Sequence, residues 1–152
     1  MSGGHREILV SISMAHASPA ERLQAAGVAF RYAARVGIDT VKVQSAFIRD
    51  PPDELAEGIK SWISTGKRHR RWVVFDRPSA DDITRALAAT SYVEAVNLVD
   101  GGRVLVSISD TADNLDLELN SSEWEALRPE IESILGGALR YDVAELTGSE
   151  ST

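Results

Sequence analysis

The chain has 152 residues, of which 43% are hydrophobic and 26% are charged, so its size and composition fit one globular domain with a sizeable core. It contains no cysteine, which excludes disulfides, thiolate nucleophiles and cysteine-based metal sites, and its formal net charge of -7 argues against nucleic acid as a partner. The apolar runs are too short to span a membrane, and residues 1–7 lack the apolar region of a signal peptide, so we expect a cytoplasmic protein.

Apolar periodicity and capping signals predict that strands alternate with helices in the first part of the chain. Strands are expected at 7–13, 40–47 and 72–75, and helices at 18–37, 50–66 and 79–90. The sequence SPAE at 18–21 is a capping box with proline at the first helical position, which marks a helix start. The run WVVF at 72–75 is apolar throughout and predicts a buried central strand. This alternation favours at least partly parallel pairing through right-handed crossovers.

After residue 91 the pattern changes to a β-meander followed by a helix. Strands are expected at 92–99, 103–109, 114–119 and, at an edge of the sheet, 139–143. The sequence DGG at 100–102 is typical of a tight hairpin, because glycine adopts a positive φ without strain. Ser122 and Glu125 have the spacing of a capping box for the last helix, and Pro129 inside that helix predicts a kink or a division in two.

These elements predict the fold class and the domain boundaries. We expect an α/β fold with a mixed sheet, in which a βαβαβα order is followed by a β-meander and a covering C-terminal helix. The pattern indicates a single layered α/β domain over residues 7–146, between a flexible leader at 1–6 and a flexible tail at 147–152.

Negative charge is concentrated in one segment of the chain. Between Asp110 and Glu132 lie eight carboxylates and one arginine, so this segment holds the whole net charge of -7. Such a concentration can steer and orient a basic protein partner, although acidic runs are also common on solvated surfaces. The residues predicted to contact a partner are Asp110, Asp113, Asp116, Glu118, Glu123 and Glu125. We therefore predict a non-catalytic protein-binding module, and immunity or antitoxin-type inhibitors are examples of that class by analogy of charge and size.

The main alternative is an enzyme or sensor that binds a small ligand in the loop after the first strand. Ligands of open α/β sheets bind at the carboxyl ends of strands, where His16 could act as a general base or orient a phosphate. Ser13 precedes it in the chain, and residues Ser107 to Asp110 join the site if the first and fifth strands are neighbours. No phosphate-binding loop or nucleophile motif accompanies these residues, which favours a protein without catalysis. The acidic segment also lacks the EF-hand pattern, so we predict no metal and no cofactor.

A basic cluster interrupts the acidic composition at residues 67–71. Its members Lys67, Arg68, Arg70 and Arg71 are candidates for contact with phosphate or with nucleic acid, although four positive charges are few for nucleic acid. One alternative is that these charges prevent the edge of a sheet from pairing with other chains. Another is that the cluster pairs with the acidic face of a second copy, which would make the protein a homo-oligomer.

Overall fold

Four helices and eight strands follow one another in the computed structural model, which describes residues 8–146. The helices are α1 (Pro19–Val36), α2 (Asp53–Ile63), α3 (Ala80–Ala89) and α4 (Ser121–Leu135). The strands are β1 (Ile8–Ser13), β2 (Thr40–Phe47), β3 (Lys67–His69), β4 (Trp72–Asp76), β5 (Val93–Asp100), β6 (Arg103–Ser109), β7 (Asn114–Leu119) and β8 (Arg140–Glu145). The α/β class is therefore confirmed, whereas the predicted leader and tail lie outside the described residues.

Local capping interactions fix where three of the helices begin. Ser18 caps α1 and Ser79 caps α3, and each forms a capping box with the acidic residue three positions later, as the sequence predicts. The α4 cap differs from the prediction, because Asn120 and Glu123 form the capping box instead of Ser122 and Glu125. An asparagine oxygen accepts the same backbone hydrogen bond as a serine hydroxyl, so α4 begins at Ser121.

All strand pairs among the described residues are antiparallel, and the order across the sheet is β3-β4-β2-β5-β6-β7-β1-β8. The predicted parallel pairing is therefore wrong. The four helices do join strands that point the same way, namely β1 with β2, β2 with β3, β4 with β5, and β7 with β8. However, at least one strand lies antiparallel between the members of each such pair. In particular, the whole meander β5-β6-β7 separates β2 from β1.

The two faces of the sheet differ in character. Opposite residues of antiparallel strands share a face, and the aligned side chains Val73, Val43, Val96, Ile108, Leu115 and Ile12 are all buried. The helices form one layer over this face, where α1 packs against α3 and α4, and α2 packs against α3. Within residues 8–146 no helix covers the other face, which we call the open face.

Two further predictions, one for a strand and one for a helix, differ from the structure. The strand at 72–75 is not central, since β4 lies second from the edge and only Val73 and Phe75 are buried, while Trp72 and Val74 lie on the open face. Pro129 does not divide α4, which continues to Leu135 because buried side chains anchor it to the core on both sides of the proline, and the alternative of a kink stays a prediction. No helix of the described chain is both long enough and apolar enough to cross a membrane.

Candidate functional site

The register places one side chain from each strand in a continuous row across the open face. From β3 to β8 the row contains Lys67, Val74, Lys42, Asn97, Ser107, Asp116, Ser11 and Asp142. The two lysines lie at one end of the row and the two aspartates at the other. This row is therefore basic towards β3 and acidic towards β8.

Asp116 and Asp142 flank Ser11 at the acidic end of this row. Ser11 is paired with Asp116 of β7 on one side and with Asp142 of β8 on the other. Neighbouring strands lie about 4.8 Å apart, so the two aspartate Cα atoms are roughly 10 Å apart. Ser11 therefore lies midway between the two aspartate positions.

A cavity of about 580 Å³ opens at this position. Its polar lining consists of Ser11, Ser13, Ser109, Asn114, Asp116, Arg140 and Asp142. We call this set the acidic cavity, because hydroxyl, amide and carboxylate oxygens outnumber its single cation. Oxygen acceptors in this number are suited to an ammonium or guanidinium group.

The carboxylates on the open face differ in their ion pairs. Glu118 is paired with Arg103 at 2.6 Å. Within residues 8–146, neither Asp116 nor Asp142 has a cationic side chain within ion-pair distance. The acidic cavity therefore contains two open-face carboxylates that no cation of the described chain balances.

The six carboxylates predicted to contact a partner do not form one surface. Asp116 and Glu118 lie on the open face, while Glu123 and Glu125 belong to α4, in the helix layer on the opposite side. Glu123 accepts hydrogen bonds from the backbone of Asn120 and from the Tyr32 hydroxyl. Glu125 is paired with Arg128, and this hydrogen bond, with the charges of Glu125 and Glu132, raises the pKa of the Arg128 guanidinium.

Asp110 and Asp113 belong to the loop between β6 and β7, where they serve local structure. Asp110 accepts a hydrogen bond from the Asn114 amide at 3.1 Å, and Asp113 forms an ion pair with Arg22. Three consecutive residues of this loop, Asp110, Thr111 and Ala112, have φ values of 56°, 55° and 69°. Left-handed backbone costs about 1–2 kcal/mol per residue without glycine, so this loop is strained.

The residues of the predicted small-ligand site lie near one another in the fold but are not joined into a catalytic arrangement. Ser13 is opposite Asn114 on the open face, and His16 is exposed in the loop before α1. No hydrogen bond within residues 8–146 connects His16 to Ser13 or Asp110. The N-terminus of α1 is capped by its own Ser18 and Glu21. A ligand function centred on His16 stays a prediction.

The side chains of the basic cluster at 67–71 do not share one surface, because successive residues of β3 point to opposite faces of the sheet and the last two residues belong to a turn. Lys67 and His69 lie on the open face, Arg68 lies on the helix side opposite Val73, and Arg70 and Arg71 form the turn. Arg71 lies 3.7 Å from Glu94, so part of the cluster's charge is already balanced.

Arg68 lines a second cavity of about 460 Å³, between α2 and the β3 edge of the sheet. No sequence pattern predicts this site, because Lys60 of α2 comes near Arg68 only when α2 packs on β2 and β4. Lys60 Nζ lies 6.0 Å from the Phe47 ring centroid, and Arg68 Nη2 lies 3.4 Å from Ser45 Oγ. The apolar lining includes Phe47, Ile63 and Val73. We call this site the cationic pocket.

Among residues 8–146 there is no group of three or more histidine, aspartate or glutamate side chains that could hold a metal ion. Comparisons with protein-family models, with curated proteins and with solved structures gave no match to this chain.

Proposed function

We propose that the protein is a non-catalytic binding module that docks a basic protein partner on the acidic end of its open face. The observation that supports this proposal best is the position of Asp116 and Asp142 on either side of Ser11, without an ion pair to either carboxylate in the described chain. An uncovered sheet face can accept a partner without rearrangement of the backbone, and burial of an unpaired carboxylate becomes favourable only when a cation accompanies it.

The docked group is an arginine or lysine side chain of the partner. Its cationic head lies between Asp116 and Asp142, where the Ser11 hydroxyl and the Asn114 amide oxygen can accept further hydrogen bonds. Arginine suits the site better than lysine, since a planar guanidinium can donate to both carboxylates at once. Inhibitors that cover a basic active site, such as immunity or antitoxin proteins, are the functional class that this surface fits.

The carboxylates of α4 contribute to this function only from a distance. They lie on the far side of the sheet and are partly balanced, since Glu125 is paired with Arg128 and Glu130 lies 3.7 Å from Arg31. Unscreened charge still raises the rate of encounter with a basic partner, and salt reduces that effect.

A synthetic arginine-rich peptide tests the position of the site. The double variant Asp116→Asn, Asp142→Asn is expected to weaken binding, measured by fluorescence anisotropy, by roughly tenfold. Its matched control is Glu125→Gln, Glu130→Gln, which removes the same charge from the helix side and should change the affinity by less than about twofold at 150 mM salt. Equal weakening by both variants would mean that the peptide responds only to net charge, and the proposal would be wrong.

The same variants test the biological partner. Wild-type protein and the helix-side control should retain the same basic protein from a lysate of the source cells, and the Asp116, Asp142 variant should lose it. If all three proteins retain it equally, the acidic cavity is not the docking site.

We further propose, as a second candidate function, that the cationic pocket binds a small amphiphilic carboxylate. The pocket places Lys60 and Arg68 at its rim and Phe47, Ile63 and Val73 along its wall, so it offers charge and an apolar surface together. A ligand with a carboxylate and a short apolar body satisfies both parts, whereas inorganic phosphate uses only the cations.

Octanoate and inorganic phosphate are suitable probes for this pocket. In titrations followed by NMR, octanoate should shift the amide signals of α2 and β3, and Arg68→Gln should weaken its binding by roughly tenfold. Lys67→Gln is the control, because Lys67 lies on the open face. The candidate fails if Lys67→Gln weakens binding as much as Arg68→Gln, or if octanoate shifts no signals near the pocket.

A further inference from the structure

The two edges of the sheet are built differently. The edge strand β3 has only three residues, Lys67, Arg68 and His69, and short, positively charged edge strands resist pairing with other chains. The opposite edge strand β8 has six residues, all of them exposed, and it contains no lysine. Within residues 8–146 its outer side is unpaired, so β8 presents a free row of backbone donors and acceptors.

The helix side of the sheet continues to the edge strand β8, where apolar side chains remain exposed to solvent. Tyr141 is 39% exposed and Val143 is 49% exposed, and they are two of the four large exposed hydrophobic residues in the described chain. Both lie on the helix side, where Tyr141 is opposite Ile12 and Val143 is opposite Val10. Tyr141 also contacts Trp124 of α4 edge to face, with the ring centroids 5.2 Å apart. An uncovered edge with apolar side chains is a template for another strand.

We infer that β8 pairs antiparallel with β8 of a second copy of this chain, about a two-fold axis at Tyr141. An axis perpendicular to the sheet keeps the open faces of both copies on the same side, so open-face residues must lie opposite open-face residues. With the axis at Tyr141, Arg140 of each copy lies opposite Asp142 of the other. Tyr141 then lies opposite its own equivalent, and Val143 lies opposite Leu139.

The charges of Arg140 and Asp142 favour the register with the axis at Tyr141 over registers that are shifted along β8. An axis at Asp142 would place the two Asp142 carboxylates directly opposite each other, which is unfavourable. An axis at Val143 would place Tyr141 opposite Glu145 and would pair neither Arg140 nor Asp142 with an opposite charge. Only the axis at Tyr141 forms two cross-strand ion pairs on the open face and apolar pairs on the helix side.

The second copy contributes a residue to the acidic cavity. Arg140 already donates to the Gly137 and Leu139 carbonyls through Nη1, which leaves the rest of its guanidinium free to reach Asp142 of the other copy. The dimer therefore joins the two acidic cavities into one surface across the axis. Because the second copy's Arg140 neutralises Asp142, dimerisation and docking of a basic partner compete for this carboxylate. The dimer itself does not depend on the proposed function.

Charge reversal tests the dimer, measured by sedimentation velocity over a concentration series without any peptide. Asp142→Arg and Arg140→Asp should each weaken dimerisation by roughly tenfold or more, because two favourable pairs become two like-charge pairs. The double variant Arg140→Asp, Asp142→Arg restores opposite charges and should restore the dimer. Lys67→Glu on the other edge should leave the dimer unchanged. Circular dichroism checks that these exposed substitutions leave the fold intact.

A single cysteine tests the register, since the chain has no cysteine of its own. Tyr141→Cys places two thiols opposite each other on the axis, where directly opposite Cβ atoms are about 4.5–5.5 Å apart, and mild oxidation should link the two copies. Val143→Cys should link them far more slowly, because its opposite residue is Leu139. A wild-type monomer at all concentrations, no recovery in the charge-swapped variant, or faster linking of Val143→Cys would each overturn the inference.

Discussion

The guanidinium of Arg22 and the carboxylate of Asp113, 91 residues apart in sequence, form an ion pair that ties the start of α1 to the loop between β6 and β7. Arg22 Nε also donates to the Ala17 carbonyl at 3.1 Å, and Nη2 donates to the Ala15 carbonyl at 2.9 Å. The Arg22 side chain is only 13% exposed. One arginine therefore holds together the two loops beside the acidic cavity.

Arg22→Ala is expected to lower the free energy of unfolding by about 2–3 kcal/mol, since it removes hydrogen bonds to a charged group and leaves two carbonyls without their donor. Urea denaturation measures the change. The control is Arg31→Ala, whose partner Glu130 is 3.7 Å away and whose side chain is 63% exposed. That pair should contribute about 0.5 kcal/mol or less, and an equal loss in both variants would contradict the role of Arg22.

Gly66→Ala should destabilise the protein by about 1–3 kcal/mol, because an added methyl group overpacks the join between α2 and the sheet. A Cβ at this position would lie 2.5 Å from Val73 Cγ1 and 2.8 Å from Phe75 Cζ. Gly58→Ala is the matched control, since Gly58 lies inside α2 with no atom within 4 Å of an added Cβ. It should stabilise the protein by about 0.5–1 kcal/mol, as alanine does in a helix. Thermal unfolding of both variants distinguishes the two effects.

Asp82 makes part of the stability dependent on pH. Burial raises the pKa of its carboxyl, but hydrogen bonds from the Ser79 backbone, the Trp62 indole and the Ser79 hydroxyl, with the charge of Arg85, outweigh burial and lower it. Because the pKa of Asp82 is lower in the folded state than its unfolded-state value of about 3.9, the ionised carboxylate stabilises the folded protein above about pH 3.9. This contribution is lost as the pH falls through the folded-state pKa. Asp82→Asn should therefore cost about 1 kcal/mol at pH 7 and progressively less below about pH 4.

Urea denaturation of wild type and Asp82→Asn from pH 7 to pH 3 checks this difference. A gap between the two proteins that is constant over the whole range would contradict the assigned cause. Asp81→Asn is the control, because its exposed ion pair with Arg85 should contribute about 0.5 kcal/mol or less.

Asn97 carries an acceptor that nothing satisfies in the described chain. Its Oδ1 atom is shielded from solvent and has no hydrogen-bond partner there, although the residue lies in the middle of the open face between Lys42 and Ser107. Asn97→Val should raise the free energy of unfolding by about 1 kcal/mol, because it removes the unpaired group. Gln44→Val on the neighbouring strand controls for the strand propensity of valine. An equal gain from both variants would assign the effect to propensity alone.

Much of the local structure follows from interactions between residues that are close in sequence. The capping boxes at Ser18 and Ser79 close hydrogen bonds over three positions, and the hairpin at Gly101 and Gly102 needs only two residues with positive φ, observed at 58° and 87°. The alternation of leucine with polar side chains in β7 likewise determines which of its sides is buried. These features could be predicted because their energies depend on a few adjacent residues.

The candidate site could be predicted only in part. The sequence indicated Asp116 as a partner-binding residue, but it gave no reason to connect Asp116 with Asp142, or Lys60 with Arg68. Asp142 reaches the acidic cavity because β1, from the start of the chain, lies between β7 and β8. Glu123 and Glu125 are separated from the open face by the sheet itself, because α4 packs in the helix layer on the opposite side.

By itself, the sequence determined where α1 and α3 begin, where the meander turns and which side of each meander strand is apolar. Only the tertiary structure decided the order of the strands, the antiparallel pairing and the side chains that share the acidic cavity. The physical reason is that the strand order depends on the free energy of packing the whole helix layer on the whole sheet. No short segment of the sequence determines that total free energy.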